Sequence, residues 1–384
     1  MPNVPQLDLQ HMQRALTLAR DAVGLASPNP TVGCVLVKDG KVIAEGAHRY
    51  DAKDHAEIVA LKQAGADAQG STAYVTLEPC SHHGRTGPCS DALIAAKVKR
   101  VVIATQDPNP KVSGEGIKKL RAAGIEVELG LCEAESRALN DAFAKFIRTL
   151  TPFVTLKAAL SVDGYLAPPP HTRAAREPHW LTGRAARAEA QRLRHASDAI
   201  LTGIGTILAD DPALTDRTGL PRRRRLLRVV LDSVLATPLD SQLVTSVQND
   251  LLLLCGTTAE EIREKDLLAR GVQIERIPAD AASALDLHLV LKKLAERQIL
   301  SVLVEAGPRI NGAFLRDDLV DKAVLFYAPT ELGTGALPFA DGVASPYLFE
   351  QNLRRVVRSN YPRPDLAEDA CITGYLHDPW HSES

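Results

Sequence analysis

Residues 74–89 read YVTLEPCSHHGRTGPC, with Cys80 and Cys89 nine positions apart, and residues 55–57 upstream read HAE. One imidazole and two thiolates are three of the ligands that tetrahedral zinc takes, and they leave a fourth position for water, as in catalytic zinc sites. We therefore predict that His55, Cys80 and Cys89 bind one Zn²⁺ ion, with Glu57 beside the metal but not bound to it. A structural zinc site is the alternative, and it would need His82 or His83 as a fourth ligand.

The predicted ligands lie where secondary-structure elements begin or end. At a helix start His55 can still be non-helical, so that its side chain and that of Glu57 face one metal. Pro88 suits the first turn of a helix, which places Cys89 at the positive helix end, where a thiolate is favoured. Histidine-x-glutamate followed by proline-cysteine is the signature of zinc deaminases, in which the glutamate is the general acid and base. The cysteines of that signature are three apart, so this chain matches a relative of it.

Outward from these motifs, strands and helices alternate through the first 150 residues. The apolar periodicity predicts helices at 7–25, 56–64, 89–97, 115–123 and 133–147 and strands at 32–37, 41–47, 72–77, 99–104 and 125–129. Asp39-Gly40 predicts a hairpin between the first two strands. The pattern indicates a layered α/β sandwich.

A second series begins after Thr151-Pro152, where proline ends the preceding helix. Apolar runs predict strands at 153–160, 198–202, 226–232, 250–255, 300–305 and 322–328, helices at 183–195, 258–270, 284–296 and 309–316, and two late strands that close the sheet. Prolines place 167–178 in a surface loop. We expect 222–225, a run of four arginines, to be a solvated loop rather than a phosphate-binding patch.

Composition excludes several classes of protein. The chain has 384 residues, which favours two domains, and its formal net charge is −2. Because aromatic residues make up only 4% of the chain, we expect no nucleic-acid partner. No apolar run is long enough for a membrane span, and residues 1–9 lack the features of a signal peptide, so we expect a cytoplasmic protein. The four cysteines outside the zinc motif are interpreted as small buried hydrophobic residues.

The chain resembles the bifunctional riboflavin-biosynthesis deaminase–reductases. The resemblance is close over 8–150 and looser to about residue 377, and it is carried by 28–34, 55–57, 74–85, 107–110 and Gly114. The HHGRT segment between the cysteines is specific to this family. The resemblance implies a cytidine-deaminase-like α/β/α sandwich in residues 1–150 and a dihydrofolate-reductase-like α/β domain in residues 151–384. It also implies homo-oligomers, dimers or tetramers.

The resemblance gives the first domain a reaction. It implies hydrolysis of the 2-amino group of 2,5-diamino-6-(5-phosphoribosylamino)pyrimidin-4(3H)-one, in which zinc activates water and Glu57 moves protons to the ring and the amine. Asn29, His82 and His83 are candidates for base and phosphate contacts. Turn formation and loop capping are the alternative roles of these three residues.

For the second domain the resemblance implies NADPH-dependent reduction of the ribose of 5-amino-6-(5-phosphoribosylamino)uracil, by hydride transfer to C1′. The absence of a Gly-x-Gly-x-x-Gly motif after an early strand agrees with a fold other than the Rossmann fold. The implied NADPH site comprises Ala159, Trp180, Thr206, Asp210, Ser233, Gly307, Pro308, Arg309, Ile310, Asn311, Gly312 and Ala313. The implied substrate site comprises Lys157, Arg194, Leu214, Arg217 and Glu305. A glycine loop at the start of helix 309–316 independently suits a phosphate.

Three residues depart from the family pattern: Tyr165, Pro178 and Thr330. All three lie in the reductase half, so a deaminase with a structural or dimerising second domain is one alternative. A zinc-stabilised binding protein without activity is another. Glu57 argues against the latter, because a structural zinc site has no use for an unbound acid beside the metal.

Overall fold

The computed structural model describes residues 6–82, 87–172, 176–177, 179–278, 284–364 and 367–381. The chain divides into two compact units, residues 1–150 with 221–224 and residues 151–220 with 225–384. Residues 221–224, which follow the predicted domain boundary at 150, group with the first unit, where the Arg223 amide donates to the Gly24 carbonyl at 2.8 Å. Residues 222–225 form a loop, as expected, but 222–224 are half-buried instead of fully solvated, and the Arg223 guanidinium covers the Tyr50 ring.

The first unit is a five-stranded sheet with helices around it. Its strands are β1 (Gly33–Lys38), β2 (Lys41–Ala47), β3 (Thr72–Leu77), β4 (Arg100–Thr105) and β5 (Glu126–Leu129), in the order β2-β1-β3-β4-β5. The last three strands in that order are parallel to one another, whereas β1 is antiparallel to both of its neighbours. The helices are α1 (Gln6–Asp21), α2 (Ala56–Ala64), α3 (Cys89–Ala95), α4 (Glu115–Ala122), α5 (Glu133–Leu139) and α6 (Asp141–Thr149).

The local sequence explains why helix α2, which directly follows the predicted ligand His55, lies against the hairpin of β1 and β2. Asp39 and Gly40 both have positive φ, as the predicted two-residue hairpin turn requires. On β2, a Cβ atom at Gly46 would lie 2.1 Å from the Ala56 carbonyl oxygen. Only glycine therefore lets the first turn of α2 approach the strand this closely.

One predicted helix of the first unit is two. The helix expected over 133–147 ends at Leu139, and α6 begins at Asp141. Asn140 between them has φ −121° and ψ 15°, and its side chain accepts from the Thr31 amide at 2.7 Å and donates to the Thr31 carbonyl at 3.0 Å. The helix breaks here because the Asn140 side chain pairs with the backbone amide and carbonyl of Thr31, which requires a non-helical backbone at Asn140.

The second unit contains a nine-stranded sheet in the order β11-β10-β9-β8-β12-β6-β13-β16-β15. Its strands are β6 (Phe153–Ser161), β8 (Ala199–Gly203), β9 (Leu227–Leu231), β10 (Leu251–Gly256), β11 (Gln273–Ile277), β12 (Ser301–Val304), β13 (Lys322–Ala328), β15 (Arg354–Pro362) and β16 (Glu368–Tyr375). Every pairing is parallel except those of β16 with β13 and β15. A separate antiparallel pair joins β7 (Tyr165–Ala167) to β14 (Leu337–Pro338), so Ala167 lies in a short strand and not in the predicted loop.

Helices cover both faces of this sheet. They are α7 (Arg184–Ala196), α8 (Ile204–Asp210), α9 (Gln242–Thr245), α10 (Glu261–Ala269), α11 (Leu287–Glu296), α12 (Pro308–Arg316) and α13 (Pro346–Glu350). Apolar clusters lie on both faces: Leu156, Leu201 and Val304 belong to a cluster on one face, and Ile200 and Val230 to a cluster on the other. No helix in the described part of the chain is long and apolar enough to cross a membrane. The predicted elements of this unit did not include β7, β11, β14, α8, α9 or α13.

Candidate active sites

The three predicted zinc ligands lie at the ends of three different elements in the first unit. His55 is the N-cap of α2, with extended backbone (φ −74°, ψ 162°), as expected for a residue that precedes the helix. Cys80 follows β3, and Cys89 is the first residue of α3. Pro88 is the N-cap of α3, one position earlier than the predicted first turn, so Cys89 still lies at the positive helix end.

The geometry of these side chains fits tetrahedral zinc. His55 Nδ1 lies 3.5 Å from Cys80 Sγ and 3.2 Å from Cys89 Sγ, and the three ligand atoms lie within 4.8 Å of one another. Zinc–nitrogen and zinc–sulfur bonds of about 2.0 and 2.3 Å at tetrahedral angles require nitrogen–sulfur separations of roughly 3.5 Å. The described residues therefore present one imidazole and two sulfurs at the spacing of a catalytic zinc site.

The environment of Cys80 favours the thiolate form, which binds cations. The pKa of its thiol is lowered to about 4, because it accepts hydrogen bonds from the Cys89 thiol and amide and from His55, which outweigh burial. The Cys89 amide donates to Cys80 Sγ at 3.3 Å. A thiolate is the form of cysteine that binds metal, so the lowered pKa of Cys80 favours metal binding at this position.

Glu57 lies on the first turn of α2 and is only 3% exposed. Burial raises the pKa of its carboxyl group to about 7, and the negative charge of Cys80 adds to the increase. Within the described part of the chain Glu57 is not one of the residues whose ligand atoms form the metal cluster, and its role beside the metal stays a prediction.

A cavity of about 270 Å³ opens beside the metal cluster. The predicted contacts Asn29 and His82 line it, whereas His83 lies outside the described residues. Ten further lining residues were not predicted as site residues: Pro30, Val32, His48, Lys53, Leu77, Glu78, Asp107, Asn109, Phe143 and Ile147. Asp107 and Asn109 belong to a stretch quoted for the family resemblance, which is the one signal that could have identified them.

A hydrogen-bond chain orients Asn29 in this cavity. His48 Nδ1 lies 2.8 Å from the Asp54 carbonyl oxygen, so that nitrogen carries the proton. The other ring nitrogen of His48 then accepts from the Asn29 amide nitrogen at 3.0 Å. Consequently the Asn29 carbonyl oxygen is the part of that side chain left for an acceptor role in the cavity.

Glu78 fixes the segment that carries Cys80. Its buried carboxylate accepts from the backbone amides of Asp107, Gly114 and Ile117 at 3.1, 2.9 and 3.1 Å. These bonds join the end of β3 to the start of α4. A Cβ atom at Gly116 would lie 2.0 Å from the Pro79 carbonyl oxygen, so a glycine is required where α4 meets the ligand-bearing segment.

The second unit contains a larger cavity, of about 710 Å³. Six of the predicted residues line it: Lys157, Ala159, Trp180, Arg194, Arg217 and Glu305. Leu214, a predicted substrate contact, is buried and does not line the cavity as described. Arg184, Arg187 and Arg192 add positive charge to the wall, which suits an anionic ligand.

Glu305 is a largely buried acid that lines this cavity. Arg194 grips it with two hydrogen bonds, Nε to Oε1 at 2.8 Å and Nη2 to Oε2 at 3.0 Å, and the Lys157 ammonium lies 3.5 Å from Oε2. Burial raises the pKa of Glu305, but the charges of Arg194 and Lys157 outweigh burial and lower it to about 2. Glu305 is therefore ionised at neutral pH. Arg194 also donates to the Thr215 carbonyl, so most of its guanidinium is already engaged within the protein.

The other predicted NADPH contacts follow three adjacent strands of the sheet. Thr206 and Asp210 lie in α8 after β8, Ser233 follows β9, and 307–313 opens α12 after β12. Carboxyl ends of neighbouring parallel strands are where α/β proteins bind ligands. Gly307 caps α12 and Pro308 is its first residue, so the positive helix end faces this edge. Trp180 is 58% exposed and lies under the Arg187 guanidinium.

Two of the three departures from the family pattern lie away from the lining of this cavity. Tyr165 starts β7, where its amide donates to the Ser161 hydroxyl at 3.0 Å. Thr330 is exposed, and its carbonyl accepts from the Val162 amide at 3.0 Å. Neither is among the described residues that line the cavity, and Pro178 lies outside the described residues.

Comparison with known proteins assigns each half of the chain to a family. Residues 5–105 match the family model of the cytidine and deoxycytidylate deaminase zinc-binding region, and residues 152–357 match that of the RibD C-terminal domain. The riboflavin biosynthesis protein RibD of Escherichia coli K12 is 44% identical over 341 residues, which cover 86% of this chain and 89% of that protein. RibD of Aquifex aeolicus is 41% identical over 332 residues, covering 86% and 90%.

Solved structures give the same result over nearly the whole chain. RibD of Acinetobacter baumannii aligns with a TM-score of 0.80 at 38% identity, covering 97% of this chain and 99% of that one. The deaminase/reductase of Thermotoga maritima aligns with a TM-score of 0.79 at 33% identity, covering 96% and 99%.

Fold and sites together define a zinc-dependent deaminase joined to an NADPH-dependent reductase in one chain. The cytidine-deaminase-like and reductase-like folds expected from the sequence are thus confirmed. The chain belongs to the RibD family, the bifunctional deaminase–reductases of riboflavin biosynthesis.

Proposed function

We propose that residues 1–150 deaminate 2,5-diamino-6-(5-phosphoribosylamino)pyrimidin-4(3H)-one and that residues 151–384 reduce the resulting 5-amino-6-(5-phosphoribosylamino)uracil. The Thermotoga maritima relative is described as a diaminohydroxyphosphoribosylaminopyrimidine deaminase and 5-amino-6-(5-phosphoribosylamino)uracil reductase. The observation that carries the proposal is the placement of a buried acid, Glu57, beside a three-ligand metal cluster at the wall of one cavity. A second cavity, rich in arginine, supports the reductase half.

In the first step, water replaces the 2-amino group, and ammonia leaves. Zinc held by His55, Cys80 and Cys89 supplies the Lewis acid that activates water when it is bound. Glu57 takes a proton from the attacking water and delivers it to the ring nitrogen, and the second water proton follows to the departing amine. Asn29, oriented by His48, accepts a hydrogen bond from the substrate, and His82 is a further contact.

In the second step the ribose is reduced at C1′, and the bond from C1′ to the ring oxygen breaks. NADPH held by Thr206, Ser233 and the start of α12 would supply the hydride. The ring oxygen then needs a proton. Lys157 is the acidic group that can supply it, because its ammonium lines the cavity 3.5 Å from the ionised Glu305. Arg194 holds Glu305 in place, and Arg217 faces the cavity with its backbone amide bound to the Gln191 side chain at 2.9 Å. Arg217 is thus the better placed of the two arginines to bind phosphate.

One assay tests both steps. The diaminopyrimidinone phosphate is generated from GTP by a cyclohydrolase in the presence of the zinc-loaded protein, and ammonia release and NADPH oxidation are followed together. Ammonia followed by NADPH oxidation is the expected result. Ammonia without NADPH oxidation would leave the second domain without its proposed reaction. No ammonia from protein with confirmed zinc would overturn the proposal for the first domain.

We also propose that the protein acts as a homo-oligomer, a dimer or tetramer, in the cytoplasm. All six cysteines are free, as is common in reducing compartments. Light scattering of the purified protein at micromolar concentration tests the oligomeric state, and a monomeric mass would overturn that part of the proposal.

A further inference from the structure

Lys53 occupies a backbone conformation that lysine seldom adopts. Its φ is 66° and its ψ is −35°, and the Asp54 amide donates to the Ala52 carbonyl at 2.8 Å across it, which makes Lys53 the centre of a γ-turn with positive φ. Turns of this hand are rare and strained for residues with a Cβ atom. A glycine would adopt the same turn without that strain.

This turn is part of the deaminase site. It ends at Asp54, directly before the metal ligand His55, and the Asp54 carbonyl accepts from the His48 ring that orients Asn29. Lys53 itself lines the cavity of about 270 Å³. A strained residue at the wall of an active-site cavity suggests a side chain needed there.

The charges around the cavity indicate what that side chain does. Lys53 is the one lysine or arginine among the described residues that line it. The nearby acid of the same turn, Asp54, is already paired with Lys62 at 2.6 Å. Glu78 is satisfied by three backbone amides. Within the described part of the chain Lys53 has no ion-pair partner, so its ammonium is left for a ligand.

We propose that Lys53 binds the phosphate group of the substrate in the deaminase cavity. This inference rests on the proposed function, which gives the substrate a phosphoribosyl group. A phosphate carries up to two negative charges and accepts charge-assisted hydrogen bonds, for which lysine acts as a point charge. Lys53 then contributes to the affinity for the substrate and not to the proton transfers at the ring.

The experiment compares the phosphorylated diaminopyrimidinone with its dephosphorylated riboside as substrates for ammonia release. The wild type is compared with Lys53→Gln, Lys53→Arg and Lys53→Gly, and Lys62→Gln is the matched control, since it removes a nearby cation that does not line the cavity. With the phosphorylated substrate, Lys53→Gln should raise KM about 10- to 100-fold at nearly unchanged kcat, as expected for a lost charged hydrogen bond. With the riboside it should match the wild type.

The other variants separate binding from folding. Lys53→Gly should lose as much affinity as Lys53→Gln while its Tm is equal to or above that of the wild type, because glycine relieves the strained turn. Lys53→Arg should retain most of the affinity, and Lys62→Gln should change KM less than about twofold, as for a surface pair.

Two outcomes would overturn the inference: an unchanged preference of Lys53→Gln for the phosphorylated substrate, or an equal loss on both substrates. If the wild type itself releases no ammonia, the proposed function fails instead. The role of Lys53 is then tested by equilibrium binding of the phosphorylated compound and of the riboside to the wild type and to Lys53→Gln. Equal affinities of the two proteins for the phosphorylated compound would overturn the inference.

Discussion

The Nδ1 atom of His55 lies 3.2 Å from the Sγ atom of Cys89, although the two residues are 34 positions apart in the chain. One is the N-cap of α2, and the other is the first residue of α3. Because both ligands lie at helix starts, a bound metal joins α2 and α3 to the end of β3. The metal centre is therefore also a cross-link within the first unit.

Cys89→Ser should lower the zinc content and ammonia release together, because serine is a poor zinc ligand and two ligands hold the ion weakly. NADPH should still bind, since the second unit has its own core. Zinc measured by mass spectrometry and NADPH measured by fluorescence titration check this. Cys132→Ser, which removes a thiol outside the metal cluster, is the control. Loss of NADPH binding in Cys89→Ser would show that the units do not fold independently.

Glu57→Gln should keep zinc and lose ammonia release by at least about 100-fold, as is typical for removal of a general acid–base group. The amide is similar in size to the buried carboxyl, so the cavity wall keeps its shape. The readouts are metal content and the rate of ammonia release under saturating substrate. A variant that purifies without zinc would instead identify Glu57 as a metal ligand.

The metal ligands could be predicted because they belong to short sequence motifs that are typical of zinc sites. Each motif is short: His55 lies close to Glu57 in sequence, and Cys80 lies close to Cys89. The predicted helix starts at His55 and at Pro88 also indicated that these side chains lie at helix N-termini. His48 could not be predicted in this way, since its role depends on the Asp54 carbonyl and on Asn29, which is 19 positions away.

Long-range contacts likewise explain the errors in the predicted elements. The break at Asn140 depends on Thr31, which is 109 positions away, whereas the helical periodicity on either side continues. The arginine run at 222–225 has the composition of a solvated loop, yet Arg223 packs on Tyr50. In both cases the local structure depends on a contact with a residue distant in sequence, and the local sequence pattern does not predict that contact.

Gly116→Ala should destabilise the first unit by about 1–3 kcal/mol, the usual cost of inserting a methyl group into a packed site. The new Cβ atom would lie 2.0 Å from the Pro79 carbonyl oxygen, so either α4 or the segment carrying Cys80 must move. Zinc affinity should fall as well, because Cys80 directly follows Pro79. Denaturant unfolding and chelator competition are the measurements. Gly205→Ala, where nothing lies within 4 Å of the added atom, is the control, and an equal loss of stability there would contradict the explanation.

Glu305→Gln should destabilise the second unit by about 3 kcal/mol at pH 7, because it leaves the buried charges of Arg194 and Lys157 without their partner. Folding lowers the pKa of Glu305 from 4.5 to about 2, so this acid stabilises the wild type fully above pH 4.5 and loses that contribution as the pH falls towards 2. The difference in unfolding free energy between variant and wild type should therefore be constant from pH 9 to about pH 5 and shrink below it. Denaturant unfolding across this range measures it.

Glu296→Gln is the matched control for that series, because Glu296 forms an exposed pair with Lys293 at 3.2 Å. Its effect should stay within about 0.5 kcal/mol at every pH, as for other surface ion pairs. The same Glu305→Gln protein should also fail to oxidise NADPH in the coupled assay while ammonia release continues, since the two cavities belong to different units. A Glu305→Gln protein as stable as the wild type at pH 7 would mean that Arg194 and Lys157 are satisfied without the carboxylate, and the stabilising role assigned to these ion pairs would then be wrong.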